Sequence, residues 1–209
     1  MRRRVFLAGA AGLAATAGLP LAALQAGRGC YRLEGSAVIC ATGFVDTPDI
    51  APEPCRPRCW ATCLAYVLSG YGARIDTRDV LAHLGLAGDC APGDDGAMVR
   101  ASAGTWRDRA GRDFLLDVSD LAPLSDRYPA GPGFADLLDR LGRQPVLCGA
   151  AGHTTVVTEI TTIDAPMSGF RREQVVVRDP YVASHGLRPL TPGELANRSY
   201  VLGIAIRAL

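Results

Sequence analysis

Glu53-Pro54-Cys55-Arg56-Pro57-Arg58-Cys59-Trp60-Ala61-Thr62-Cys63-Leu64-Ala65-Tyr66-Val67-Leu68-Ser69-Gly70-Tyr71-Gly72 is the most informative stretch of this chain. Pro57 suits a first helical turn, where its missing N–H has no partner to lose. Cys63, Leu64, Val67, Leu68 and Tyr71 recur at three- and four-residue spacing, which predicts a helix over Pro57–Tyr71 with an apolar face. Gly70 and Gly72 stop it. Cys59 then lies two residues into the helix. There, free amides and the positive dipole end favour an anion, and a thiol attacks as its thiolate. A buried structural cysteine or half of a disulfide is the commoner use of such a residue, so position alone does not decide.

Outward from this helix, Asp76 or Thr77 caps a second one with Val80, Leu81 and Leu84 on one face. Cys90–Gly96 reads as a loop and Ala97–Ala103 as a short helix. Phe114–Val118 reads as a strand, and Phe134–Leu141 is helical, with Phe134, Leu137, Leu138 and Leu141 on one side. The character then changes. Pro145–Cys148, Thr154–Ile163, Gln174–Arg178 and Tyr200–Ile206 are rich in Val, Ile and Thr and read as strands. A helical first half and an antiparallel-looking second half make an α+β domain of two lobes.

Two further residues stand out in the strand-rich half. His153 follows Gly149-Ala150-Ala151-Gly152 and opens Thr154-Thr155-Val156-Val157, so a turn of small residues leads an imidazole into a strand. Asp179 closes Gln174-Val175-Val176-Val177-Arg178 and precedes Pro180. Cysteine, then histidine, then carboxylate is what a thiol nucleophile, its base and the base's orienter require. Each has an ordinary reading too. A lone histidine at a strand start is more often structural, and Asp-Pro is a common turn starter. His185 is the fallback base and Asn197 the rival orienter.

Composition narrows the options. The chain has 209 residues, 48% hydrophobic and 21% charged, as in an ordinary globular protein. With 22 basic and 21 acidic side chains and no basic stripe, nucleic acid is a poor partner. No phosphate-binding or dinucleotide glycine loop is present, so no cofactor is implied. Met1-Arg2-Arg3-Arg4 followed by an Ala/Gly/Leu-rich run to about Leu24 has the plan of an export signal. Arg3-Arg4-Val5-Phe6-Leu7 gives it a twin-arginine character. We take residues 1–26 as that signal, 27–52 as an irregular N-terminal arm whose short apolar run at Ala37–Ala41 leaves room for one strand, and 53–209 as the domain. The expected location is periplasmic or secreted, and the membrane is met only in transit. In such an oxidising compartment seven cysteines leave one over. One free nucleophile and three disulfides account for them, and Cys30 and Cys40, which bracket the arm, can pair.

Together, Cys59-Trp60-Ala61 with Leu64–Gly72 behind it, Gly152-His153 before Thr154–Val157, and Val175–Pro180 resemble the papain-like cysteine peptidases. The bacterial secreted effector-type and bacteriocin-leader groups are the most similar. The likeness spans roughly residues 53–207. It implies a two-lobed papain-like fold, with the nucleophile helix packed on an antiparallel sheet. It also implies Cys59 as nucleophile, His153 as general base and acid, Asp179 as orienter, and hydrolysis of a peptide or related acyl bond through a thioester. In some of these peptidases a cysteine four residues after the nucleophile bonds to one past the next helix, which here implies Cys63–Cys90. The chain departs from the family at Glu53, six residues before the nucleophile, where a glutamine usually donates to the oxyanion. A carboxylate cannot donate there, and losing one such donor costs about 10²–10³ in rate. Arg56, Arg58 or the Cys59 amide are the alternatives.

Three other readings compete. Cys55, Cys59 and Cys63 lie four apart and, with Cys90 or a histidine, form a candidate zinc set. A non-catalytic exported module of the same fold would bind a peptide or envelope component. A transamidase would use the same thioester with a different acceptor. Trp60 is expected between lobes, Trp106 in the core or as a surface anchor, and Arg107-Asp108-Arg109 with Arg112 and Asp113 as a solvated stretch.

Overall fold

The structure is a computed structural model and describes residues 26–32, 37–44, 49–86, 90, 94–121, 132–165, 169–181 and 186–209. The expected signal therefore lies outside the described residues, except for Ala26. Ala26 opens β1 (Ala26–Arg32), which forms an antiparallel hairpin with β2 (Val38–Phe44). Cys30 and Cys40 face each other across it, 4.1 Å apart at Cα, and are disulfide-bonded. The arm expected to be irregular is thus regular. The Gly- and Arg-rich β1 has little strand propensity of its own; the cross-strand bond and the pairing of β2 hold it.

An isolated 3-10 turn, Arg56–Arg58, leads into α1 (Cys59–Gly70). The helix starts two residues later than expected, so Cys59 is its first residue. Nine of its twelve residues are buried, so α1 is an interior helix and not a surface one with a single apolar face. Its end is a Schellman motif: Gly72 has φ of 81° and donates to Ser69, and Ala73 donates to Leu68. Next come α2 (Thr77–His83) and α3 (Asp95–Ala101). Asp76 and Asp79 cap α2 reciprocally. Then follow β3 (Gly104–Arg107), β4 (Asp113–Asp120), α4 (Pro132–Leu141), β5 (Val146–Ala150), β6 (His153–Ala165), β7 (Gly169–Arg178), β8 (Leu187–Pro189), α5 (Pro192–Ala196) and β9 (Arg198–Ala208).

The nine strands among the described residues form one antiparallel sheet, in the order β1-β2-β6-β5-β9-β4-β3, with β7 on the other edge of β6 and β8 beyond it. The long β6 organises it. Its first five residues pair with β5 and its later ones with β2, while β7 runs along its opposite edge. Irregularities at Val157/Glu159 and Thr161/Thr162 let one strand serve these partners and curl the sheet. Side chains alternate between two apolar clusters. Leu147, Val156 and Leu202 join α1, α2 and Val99 on one face. Val146, Cys148, Val157 and Val201 join Leu137, Leu138 and Leu141 of α4 on the other. The fold is α+β, with helices on both faces of a single sheet and α1 packed against it.

Both tryptophans are buried. Trp60 lies in the α1 cluster, and Trp106 stacks on His83 at 3.8 Å. The Arg107–Asp113 stretch is not simply solvated. Asp108 is buried and accepts from the amides of Arg74, Ala110 and Arg112 and from the Arg112 guanidinium. Arg109 bridges to Asp76 and Asp79. Alternating signs in the sequence conceal that a charge folded under its own turn finds amides there.

Candidate active site

Three elements deliver the expected residues. The 3-10 turn places Cys59 at the start of α1, where its own amide donates back to the Arg56 carbonyl. A two-residue turn, Ala151-Gly152, joins β5 to β6 and sets His153 as the first residue of β6. Both turn residues have positive φ, 53° and 72°, as a tight hairpin of this hand requires. Asp179 follows the last residue of β7, which pairs with β6.

His153 and Asp179 meet directly, Nε2 to Oδ1 at 2.9 Å. This leaves Nδ1 buried with no hydrogen-bond partner. The next residue touches the thiol: the Thr154 amide donates to Cys59 Sγ at 3.3 Å. Consecutive residues of β6 therefore carry the imidazole and hold the sulfur.

Asp179 is held from three sides. The Tyr181 amide donates to Oδ1 at 2.8 Å, and Arg188 Nε donates to Oδ2 at 2.7 Å. Arg188 also pairs with Glu194, whose carboxylate caps α5 at Thr191. Burial alone would raise the Asp179 pKa. The bonds from His153, Tyr181 and Arg188 outweigh it and pull the pKa down to about 2. The Tyr181 ring stacks on the imidazole, with centroids 4.6 Å apart.

The thiol is 1% exposed and donates to Asp95 Oδ2 at 3.4 Å. Asp95 also accepts from Thr154 Oγ1 at 2.9 Å, and Thr154 Oγ1 meets the Tyr200 hydroxyl at 2.5 Å. The Tyr200 ring occupies the space a Cβ on Gly149 would need, so that glycine is required for close approach. Burial above all, with the Asp95 charge adding to it, pushes the Cys59 thiol up to about 11 against the Thr154 amide. A helix start was expected to favour the thiolate. Here desolvation and a neighbouring carboxylate win, and Cys59 rests as a neutral thiol. Asp95 is itself raised, chiefly by burial.

Two expectations are overturned. Cys63 does not pair with Cys90: Cys55 does, at a Cα separation of 6.0 Å. One turn beyond Cys59, Cys63 faces the sheet and donates its thiol proton to the Thr154 carbonyl at 3.3 Å, away from the exposed Cys90. Among the described cysteines two disulfides form, and Cys59, Cys63 and Cys148 are free and buried. The count of three disulfides and one free thiol was wrong because burial keeps Cys63 and Cys148 apart from any partner. The bonding of Cys55 also breaks the candidate zinc set, and no metal-holding group of side chains occurs among the described residues.

Glu53 borders the site, but its side chain donates nothing. Its carboxylate accepts from the Cys55 amide at 2.8 Å and from Thr62 Oγ1 at 3.1 Å. Its amide donates to the Pro180 carbonyl at 3.1 Å, tying this segment to the Asp179 turn. Asn197 caps α5 through Gly193 and takes no part, and His185 lies outside the described residues. Sequence reasoning missed Asp95, Thr154, Tyr181, Arg188, Glu194 and Tyr200. Only the Asp94-Asp95 pair ahead of a short helix carried a signal, and it reads as a cap.

Compared with known proteins, the chain matches no family model, no curated protein and no solved structure. The two disulfides fit an oxidising, exported setting. Among the described residues no helix is long and apolar enough to cross a membrane.

Proposed function

We propose that this protein is an exported thiol hydrolase of papain-like type that cleaves a peptide or related acyl bond. One observation carries the reading: His153 gives Nε2 to Asp179 and keeps Nδ1 unpartnered, on the residue next to the one that holds the Cys59 sulfur. An imidazole oriented at one nitrogen and vacant at the other is set to accept a proton. The thiol proton passes from Cys59 to Nδ1 as sulfur attacks the acyl carbon. Nδ1–H then protonates the leaving group, and water resolves the thioester by the same route. Because the thiol is held neutral by burial and Asp95, proton transfer accompanies attack. Asp179, held by Arg188, keeps the ring in one orientation and stabilises its positive form. The Arg3-Arg4 signal supplies the export route, and a peptide or protein is the substrate. Transfer to an amine in place of water requires only a different acceptor.

The near-complete burial of Cys59 favours a second reading, a binding module that has kept the site without using it. Non-reduced peptide mapping after iodoacetamide treatment separates the two. The hydrolase alkylates at Cys59, and Cys59→Ala abolishes turnover without changing the melting temperature. An active Cys59→Ala protein sinks the mechanism, and a wild type that never labels at Cys59 leaves the binding module.

A further inference from the structure

We propose that the Tyr181 hydroxyl is the oxyanion donor of this site, in the role a glutamine fills in papain-like peptidases. The inference rests on the thiol-hydrolase reading. It starts from an orphan: the Tyr181 hydroxyl is buried and has no hydrogen-bond partner. A buried hydroxyl without a partner costs stability, and such groups persist where a ligand supplies the missing bond. Among the described residues the other orphan at this site is Nδ1 of His153, the atom that takes the nucleophile's proton.

Placement supports the role. The Tyr181 ring lies against the imidazole at 4.6 Å and 22°. Its amide is bonded to Asp179 at 2.8 Å, so the residue moves with the catalytic groups. The preceding carbonyl, that of Pro180, accepts from the amide of Glu53, so Tyr181 adjoins the segment where the donor was expected. Of the other candidates, Glu53 accepts on both oxygens, the Cys59 amide donates to Arg56, the Arg56 side chain is exposed, and Arg58 has a partner of its own. Burial chiefly, then the Cys59 thiolate once it forms at high pH and the Glu53 charge, push the phenol's ionisation up, with Arg56 opposing, so the hydroxyl keeps the proton it has to donate.

The step balances. Cys59 Sγ bonds to the acyl carbon, its proton goes to His153 Nδ1, and the carbonyl pair moves onto oxygen. The Tyr181 O–H donates to that oxygen. Reforming the carbonyl breaks the bond to the leaving group and leaves the thioester.

The test compares two reactions of the same sulfur in the mature protein. Acylation by p-nitrophenyl acetate passes through an oxyanion, whereas alkylation by iodoacetamide displaces iodide and does not. In Tyr181→Phe, which keeps the ring on His153, acylation of Cys59 should fall about 10²-fold while alkylation is unchanged. The melting temperature should hold or rise, because an unpaired buried hydroxyl is removed. The proposal is overturned if acylation is unaffected, if both reactions fall together, or if the variant is destabilised. A wild type that alkylates at Cys59 but never acylates overturns it as well. Failure of the hydrolase reading looks different: wild-type Cys59 reacts with neither reagent.

Discussion

The imidazole and thiol halves of the site meet at consecutive residues of β6, His153 and Thr154, and are built in opposite ways. Around His153 the environment is charged: Asp179, Arg188 and Glu194 run in an unbroken chain of ion pairs to the cap of α5. That chain draws the Asp179 pKa down to about 2. Around Cys59 the environment is dry, and its partners are Asp95 and the Thr154 amide. Burial first, and then the Asp95 charge, push this thiol up to about 11. The difference is that one half gathers charge around its ring while the other resists becoming negative. On the proposed hydrolase reading, a proton would move between them only when something stabilises the charge that forms on the substrate, and such a site would favour reaction with a bound acyl group over oxidation of an idle thiolate.

The largest expected effect breaks the imidazole half. Asp179→Asn removes the charge that balances the imidazolium and leaves Arg188 with half its partners. Acylation of Cys59 by p-nitrophenyl acetate should fall about 10³-fold or more, and a rate near wild type would show that Asp179 is only a turn residue.

Next in size is the anchoring of the thiol helix. Cys55–Cys90 closes a separation of 35 residues, and on the chain-entropy argument Cys90→Ser should cost about 4 kcal/mol. Cys63→Ala loses one hydrogen bond and a little volume and should cost about 1–2 kcal/mol. Urea unfolding of the oxidised proteins ranks them, and a larger loss for Cys63 would reverse the assignment of the disulfide.

The smallest effect sharpens the thiol half. Asp95→Asn removes a like charge but leaves the burial, so the pH at which Cys59 becomes alkylatable should fall from about 11 yet stay above the ordinary thiol value of 9.0. The pH profile of iodoacetamide labelling measures it. A midpoint that stays put or rises would mean that burial alone holds the thiol neutral.

Much of this was legible in the sequence where spacing is local. The apolar repeat over Cys63–Tyr71 and the Val/Ile/Thr runs mark α1, β5, β6, β7 and β9, because helix and strand periods are short-range properties. His153 and Asp179 were readable as candidates from the turns beside them, and the structure brings those two together. β1, β3, β8 and α5 were missed, since each is short and carries no apolar repeat of its own to mark it.

By itself, then, the sequence determined an α+β chain with a helix that carries Cys59 near its start, a histidine at a strand start and a carboxylate at a strand end. Tertiary structure alone decided which cysteine meets Cys90, which carboxylate faces the thiol, and whether the helix start makes that thiol acidic. The physical reason is common to all three. Disulfide choice, desolvation and charge pairing depend on distances between residues tens of positions apart (31 between Cys59 and Cys90, 36 between Cys59 and Asp95). Those distances exist only once α1 lies on the sheet.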